Sequence, residues 1–223
     1  MLIRPNANDW YSALRVHHRF AVLQGSEHIA SRFSLAYLAA IVRQHDCPLV
    51  LEFGAGIGTL TYLLLQKGLR VVALEHDPFC LDQLKRNIPA EWKSRLTLIT
   101  DRVSIEGVFD LVIIDGNLPR QNEYRFLRPG TICFVEGCRQ HTSWKFQQRI
   151  AAAGLYCELS HYEPWTTLRI KSRKTGLRSR FKVARLKTFR AGIVSETPRL
   201  IGSASTGAPR PKARRVSRST PPR

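Results

Sequence analysis

The stretch LVLEFGAGIGTLTYLLL, Leu49 to Leu65, decides how this chain folds. Leu49–Phe53 reads as a short apolar strand. It runs into a turn holding Gly54, Gly56 and Gly58, and an apolar helix follows from Thr59. A strand, a glycine turn and a helix in that order let a backbone approach an adenosine-type cofactor closely. Glu52 narrows the choice. It stands two positions before the first glycine, where a carboxylate repels a pyrophosphate and attracts an ammonium group. The expected ligand is therefore a cationic adenosine cofactor and not a dinucleotide.

Downstream of this unit, strand-like and helix-like stretches alternate. Strands are expected at Leu49–Phe53, Arg70–Glu75, Leu96–Thr100, Phe109–Asp115 and Thr131–Glu136. Helices are expected at Thr59–Gln66, Pro78–Asn87, Arg120–Leu127 and Thr142–Ala153. The strands are short and almost uniformly apolar, as parallel strands covered on both faces must be. Strand–helix alternation of this kind implies a doubly wound α/β sheet. Leu155–Ser160 and Trp165–Lys171 are separated only by a tight turn at His161–Pro164, which leaves no room for a crossover helix. They are expected to pair antiparallel. Upstream, Ile29, Phe33, Leu38 and Ile41 recur at helical spacing, with Ser26 as the expected N-cap and Asp46–Pro48 as the stop. Residues 1–25 are mixed; Trp10, Tyr11, Leu14 and Phe20 fit a lid or a loose first helix.

Charge divides the chain. Met1 to Ile170 holds 19 Lys/Arg against 16 Asp/Glu, whereas Lys171 to Arg223 holds 16 against the single acid Glu196. The basic character belongs to the C-terminal stretch. It fits a solvated tail, and it equally fits attraction to nucleic acid, an acidic membrane or an acidic partner. Residues 172–196 read as a basic extension with scattered apolar groups. Residues 197–223 are too poor in large apolar groups to offset ordering entropy and are expected to be disordered.

The five cysteines, Cys47, Cys80, Cys133, Cys138 and Cys157, form no CxxC pair and are odd in number. They suit a reducing compartment and give no metal signature; Cys133 reads as core. The opening MLIRPNANDW has no apolar stretch of signal-peptide length. No segment approaches the roughly 20 apolar residues of a membrane span. A cytoplasmic protein without a membrane span is expected.

With these residues in view, the chain from about Ser26 to Lys171 resembles a class I S-adenosylmethionine-dependent methyltransferase. The resemblance rests on Glu52-Phe-Gly-Ala-Gly-Ile-Gly58, on Glu75 ending the second strand, on Asp101 after the third, and on Phe-Asp-Leu-Val-Ile-Ile-Asp115-Gly for the fourth. It implies a Rossmann-like, mostly parallel seven-stranded sheet closed by an antiparallel hairpin, with S-adenosyl-L-methionine as cofactor. Residues 26–171 are then the methyltransferase domain. Cofactor contacts are expected from Glu52, Gly54, Ala55, Gly56, Gly58, Glu75, His76, Asp101, Arg102 and Asp115. Glu52 neutralises the amino group, Glu75 accepts from the ribose hydroxyls and Asp101 accepts from the adenine amino group. Asp77 is expected to cap the Pro78 helix.

Asp115 faces the methyl-donor end and, with His141, is the expected catalytic pair. His161, in the hairpin turn, is a second base by placement; Trp10, Tyr11, His17 and His18 come into reach only if the N-terminus folds over as a lid. Catechol-type relatives bind a divalent metal through an Asp-Asn pair after the fifth strand. This chain has Glu136-Gly137 there, with Asn117 as a conceivable substitute, and no metal is expected. Enzymes that methylate amino groups of DNA bases often carry Asn/Asp-Pro-Pro-aromatic where this chain reads Asp115-Gly-Asn-Leu-Pro119. That departure counts against chemistry of that kind.

The leading expectation is methyl transfer to a small or medium-sized acceptor, at oxygen. RNA methylation with residues 172–223 gripping phosphates is the alternative. A nicotinamide-dependent oxidoreductase shares the glycine turn but is opposed by Glu52 and the closing hairpin. A cofactor-binding scaffold without chemistry remains open.

Overall fold

A computed structural model describes residues 3–101, 105–115, 124–136, 140–152, 154–157, 160–162 and 189–195. Two helices precede the first strand. The first, α1 (Ala7–Ala21), opens on a reciprocal cap. The Asn6 side chain accepts from the Asp9 amide at 2.9 Å, and the Asp9 carboxylate accepts from the Asn6 amide at 2.9 Å. Asp9 also pairs with Arg43 at 2.8 Å. Ala13, Val16 and Phe20 point into the core. Of the two readings of residues 1–25, a lid or a loose first helix, the structure shows the helix, and it is packed. Trp10 lies edge-on to Phe33 at 5.1 Å, and Tyr11 is exposed beside the Arg15 guanidinium.

The second helix, α2 (Arg32–Gln44), starts later than the expected Ser26. Ser31 is its N-cap, accepting from the Ser34 amide at 3.1 Å. Ser26–His28 forms only a short 3-10 turn behind Gly25, whose φ of 87° interrupts the helix. Ile29 then runs extended, and it and Ala30 are buried.

Five parallel strands follow, in the spatial order β3-β2-β1-β4-β5. They are β1 (Leu49–Phe53), β2 (Arg70–Leu74), β3 (Leu96–Ile99), β4 (Leu111–Ile114) and β5 (Ile132–Glu136). Helices α3 (Thr59–Gln66), α4 (Pro78–Asn87) and α5 (Gln140–Ala152) lie between and after them. The expected helix at Arg120–Leu127 is, in its described part, a 3-10 turn at Tyr124–Phe126 with Tyr124 and Phe126 buried.

Because side chains alternate across a strand, each strand feeds two cores. Val50, Val71, Ile113 and Phe134 join the core under α1 to α4. Leu51, Phe53, Val112, Ile114 and Val135 join the second core, with Phe146 and Ile150 of α5. Cys133 is buried there, as expected. No described helix is long and apolar enough to cross a membrane.

The closing hairpin is corrected. Strands β6 (Tyr156–Cys157) and β7 (Ser160–Tyr162) do not pair with each other. Both pair antiparallel with β8 (Phe189–Ser195), which lies antiparallel against β5 from Glu136↔Phe189 to Ile132↔Ile193. The expected seven strands are also corrected: five parallel strands are completed by three antiparallel ones, of which β8, the strand on β5, comes from within residues 172–196. The physical reason is the edge of β5. That strand is buried along its whole length, so its outer row of amides and carbonyls needs a partner, and β8 supplies it. The expected strand at 165–171 lies outside the described residues.

Phe20 is fully buried and stacks edge-on against Tyr62 of α3 at 5.5 Å. Phe20→Ala is expected to destabilise the protein by about 3–5 kcal/mol, measured by chemical denaturation. A mobile lid would leave the unfolding midpoint unchanged.

Candidate functional site

The site lies at the carboxyl-terminal edge of the parallel strands, where α/β sheets bind ligands. The glycine turn after β1 is pinned to the end of β2: the amides of Gly54 and Ala55 both donate to the Leu74 carbonyl, at 2.9 and 3.1 Å. Two of its glycines are required by their surroundings. Gly56 has φ 55°, and a Cβ there would sit 3.0 Å from the His28 carbonyl oxygen. Gly58 has φ 94°, and a Cβ there would meet Leu84 of α4 at 3.1 Å. The first glycine lets the segment before α2 lie flat on the turn; the second lets α3 and α4 close together.

Carboxylates stand at the ends of successive strands. Glu75 directly follows β2 and is buried. It accepts from the Gly56 amide at 2.7 Å and from the His76 and Asp77 amides at 2.8 and 2.9 Å. Three backbone donors orient it as a fixed acceptor beside the glycine turn. Asp115 follows β4, partly buried, its amide donating to the Phe53 carbonyl at 2.8 Å. Asp101 follows β3 and is exposed. Glu136 ends β5, buried against the first turn of α2.

Glu52 is the centre of this row. It is fully buried and shares the face of Val50, under α3. One oxygen accepts from the Thr61 hydroxyl at 2.6 Å. The other, Oε1, has no hydrogen-bond partner among the described residues, and neither has the buried Thr59 hydroxyl at the start of α3. Burial pushes the Glu52 carboxyl up to about 8, opposed by the Thr61 hydrogen bond and reinforced by the negative charges of Asp115 and Glu75. A cation brought to the free oxygen would relieve both the missing hydrogen bond and the like-charge repulsion. The donor set thus fits an ammonium-bearing ligand.

The structure brings Glu52, Gly54, Ala55, Gly56, Gly58, Glu75 and Asp115 together around the turn. His76 is beside them, its ring nitrogen 3.7 Å from Glu75 and its side chain mostly in solvent. Asp77 caps α4, accepting from the Cys80 amide at 2.9 Å, a bond that holds its carboxyl below the usual range. His141 is the second residue of α5; its side chain lies outside the described residues, as do Arg102 and Asn117. His161 is corrected from a turn to strand β7, opposite Arg190 of β8. No group of three or more metal-binding side chains occurs among the described residues.

Sequence reasoning missed two parts of the site. One is the segment from Gly25 to Ala30, which covers the glycine turn through backbone contacts that carry no sequence motif. The other is Thr61, the partner of Glu52. A polar residue in the buried run TLTYLLL demands a hydrogen-bond partner, and that demand was a legible signal.

With the geometry in hand, comparison with known proteins shows what the chain is similar to. No family model matches it. Over 79 residues it is 40% identical to a protein of Methanosphaera stadtmanae assigned as ribosomal RNA small subunit methyltransferase A, a match covering 34% of this chain and 28% of that one. Over 92 residues it is 39% identical to ribosomal RNA small subunit methyltransferase A of Brucella anthropi, covering 40% of this chain and 32% of that one. The matched stretch thus spans about a third of the length of these curated relatives. In three dimensions the chain is similar to the O-methyltransferase from Bacillus cereus solved in complex with SAH. The TM-score is 0.52 at 18% identity, covering 85% of this chain and 92% of that one. The fold is that of the class I S-adenosylmethionine-dependent methyltransferases.

Glu52 makes stability depend on pH. Its folded-state value lies above its unfolded one, so between about 4.5 and about 8 the folded chain holds a proton that the unfolded chain has lost. The stabilising protonated form is fully present below that window and is lost as pH rises through it. Glu52→Gln is expected to melt near wild type at pH 5 and above wild type at pH 9, read by thermal denaturation across that range.

Proposed function

We propose that this chain is an S-adenosyl-L-methionine-dependent methyltransferase acting at an oxygen of a small or medium-sized acceptor. The observation that carries the reading is the buried carboxylate of Glu52 with one unmet oxygen, set between Glu75 and Asp115 at the rim of this fold. Glu52 would hold the cofactor's α-ammonium. The backbone of Gly54, Ala55, Gly56 and Gly58 would follow its curve, and Glu75, with His76 alongside, would accept from the ribose hydroxyls. Asp101, with Arg102 next in the chain, would accept from the adenine amino group. When bound, the cofactor supplies a sulfonium methyl group already activated for displacement. The chain's task is then to align an acceptor oxygen with that methyl and to remove the acceptor's proton. Asp115, or His141 at the start of α5, would take the acceptor's proton.

RNA is the second reading for the acceptor. It is favoured by the basic stretch from Lys171 onward and by the names of the two partial relatives. Asp115-Gly-Asn-Leu-Pro119 counts against amino methylation of a base.

Calorimetry with S-adenosylhomocysteine tests the cofactor. The chain is expected to bind it and to ignore NAD. Loss of one charge-assisted hydrogen bond is worth about 1.5–3 kcal/mol. Glu52→Gln and Glu75→Gln should therefore each weaken binding by roughly 10- to 100-fold. Undiminished binding in both variants, or none in the wild type, removes the proposal.

Filter binding of RNA at two ionic strengths tests the acceptor. The comparison uses the full chain and a truncation after Ser195, which keeps β8. Tight binding that falls steeply with salt and is lost on truncation favours RNA. No affinity in the full chain removes it.

A further inference from the structure

Glu136, at the end of β5, is 3% exposed, and its carboxyl group is bonded to another element of the fold. It accepts from the Ser34 hydroxyl at 2.5 Å and lies 3.5 Å from the Ser31 amide. Ser34 is itself fully buried, and its hydroxyl is 2.9 Å from that of Ser31, the N-cap of α2. A carboxylate suits a helix N-terminus, where unpaired amides and the helix dipole favour negative charge. The pairing joins residues more than 100 positions apart, at the rim where the glycine turn lies.

What Glu136 holds is the lower end of the segment from Gly25 to Ala30. That segment sits on the glycine turn without clearance. A Cβ on Gly25 would come within 2.8 Å of Ile57 and 2.9 Å of Phe79, and a Cβ on Gly56 would touch the His28 carbonyl. Its own regular structure is a single 3-10 turn, with the Ser26 amide on the Leu23 carbonyl at 3.2 Å and the His28 amide on the Gly25 carbonyl at 2.9 Å. Gly25 to His28 are thus held by local bonds and Ile29 and Ala30 by burial in the core, so the position of the connection over the turn depends on where its two ends are fastened. The upper end is fastened by α1, packed on α3 through Phe20 and Tyr62. The lower end is fastened by the first turn of α2, and that turn is tied to the sheet by Glu136.

We propose that Glu136 is a positioning residue of the cofactor site: by anchoring the first turn of α2 it holds the Gly25–Ala30 segment against the glycine turn, and so keeps the turn in the shape that binds the cofactor. The assignment rests on the methyltransferase reading for the ligand, and on the hydrogen bonds alone for the anchoring. It also gives Glu136 a task other than metal ligation.

The test has two arms on the full chain, with Glu136→Ala, Ser34→Ala and Glu136→Gln. In the first arm, without ligand, amide hydrogen exchange is followed residue by residue. Glu136→Ala and Ser34→Ala should speed exchange at Ser26 and His28 roughly tenfold or more, with β1 and β2 amides unchanged. Glu136→Gln keeps an acceptor for the Ser34 hydroxyl and should restore most of the protection. In the second arm, at a temperature where each variant is folded, both alanine variants should bind S-adenosylhomocysteine roughly tenfold more weakly, and the double variant no more weakly than the worse single one. A change of melting temperature alone, with exchange at Ser26 and His28 and the affinity both unaltered, overturns the proposal. So does faster exchange without loss of affinity, which shows anchoring that the site does not use. If the wild type fails to bind S-adenosylhomocysteine, the methyltransferase reading falls, and the exchange arm alone then upholds or overturns the anchoring.

Discussion

A fully buried carboxyl group organises this molecule. Glu52 sits at the middle strand of the parallel sheet, flanked by β2 on one side and β4 on the other, each of which delivers another acid to the same rim. Its one neutral partner, Thr61, comes from the helix that the glycine turn launches. Strand, turn and helix must therefore meet at a fixed angle for the buried acid to be tolerated at all. The tight glycines, the close passage of α3 over α4 and the row of acids are parts of one arrangement. A hydrophobic residue at this position would serve the core better.

Much of this could be read from residue order. The bounds of β1, α3 and α4 follow from an apolar run, a glycine cluster, and an Asp-Pro start that caps one helix. The acids at the strand ends declared themselves because a strand's last residue in a parallel sheet has a known place. Local signals of this kind depend on neighbours in sequence, and they hold wherever tertiary contacts do not override them.

Where the reading went astray, long-range contacts decided. Helix α1 announces itself by Asn6 and Asp9 and by the spacing of Ala13, Val16 and Phe20, yet its capping pair is not the usual Ser/Thr with Glu/Gln. The start of α2 moved from Ser26 to Ser31 because Gly25 adopts a left-handed conformation and Ile29 is needed, extended, in the core. The partner of β5 was misplaced for a different reason. FRAGIVS lies more than 50 residues beyond β5, inside the basic stretch. Its strand character is local, but its choice of neighbour is a pairing across the chain, and no periodicity encodes that. The segment over the glycine turn touches the site through a carbonyl, which every residue has.

The direction of β8 bears on how the cationic end of the chain relates to chemistry. β8 begins opposite Glu136, level with the acidic rim, and runs backwards along β5 past Ile132. At roughly 3.3 Å per residue, its seven residues carry the chain about 20 Å away from that rim. Ser195, where the described residues end, thus lies at the opposite end of the sheet from the acids, while Phe189, where the strand begins, lies level with them.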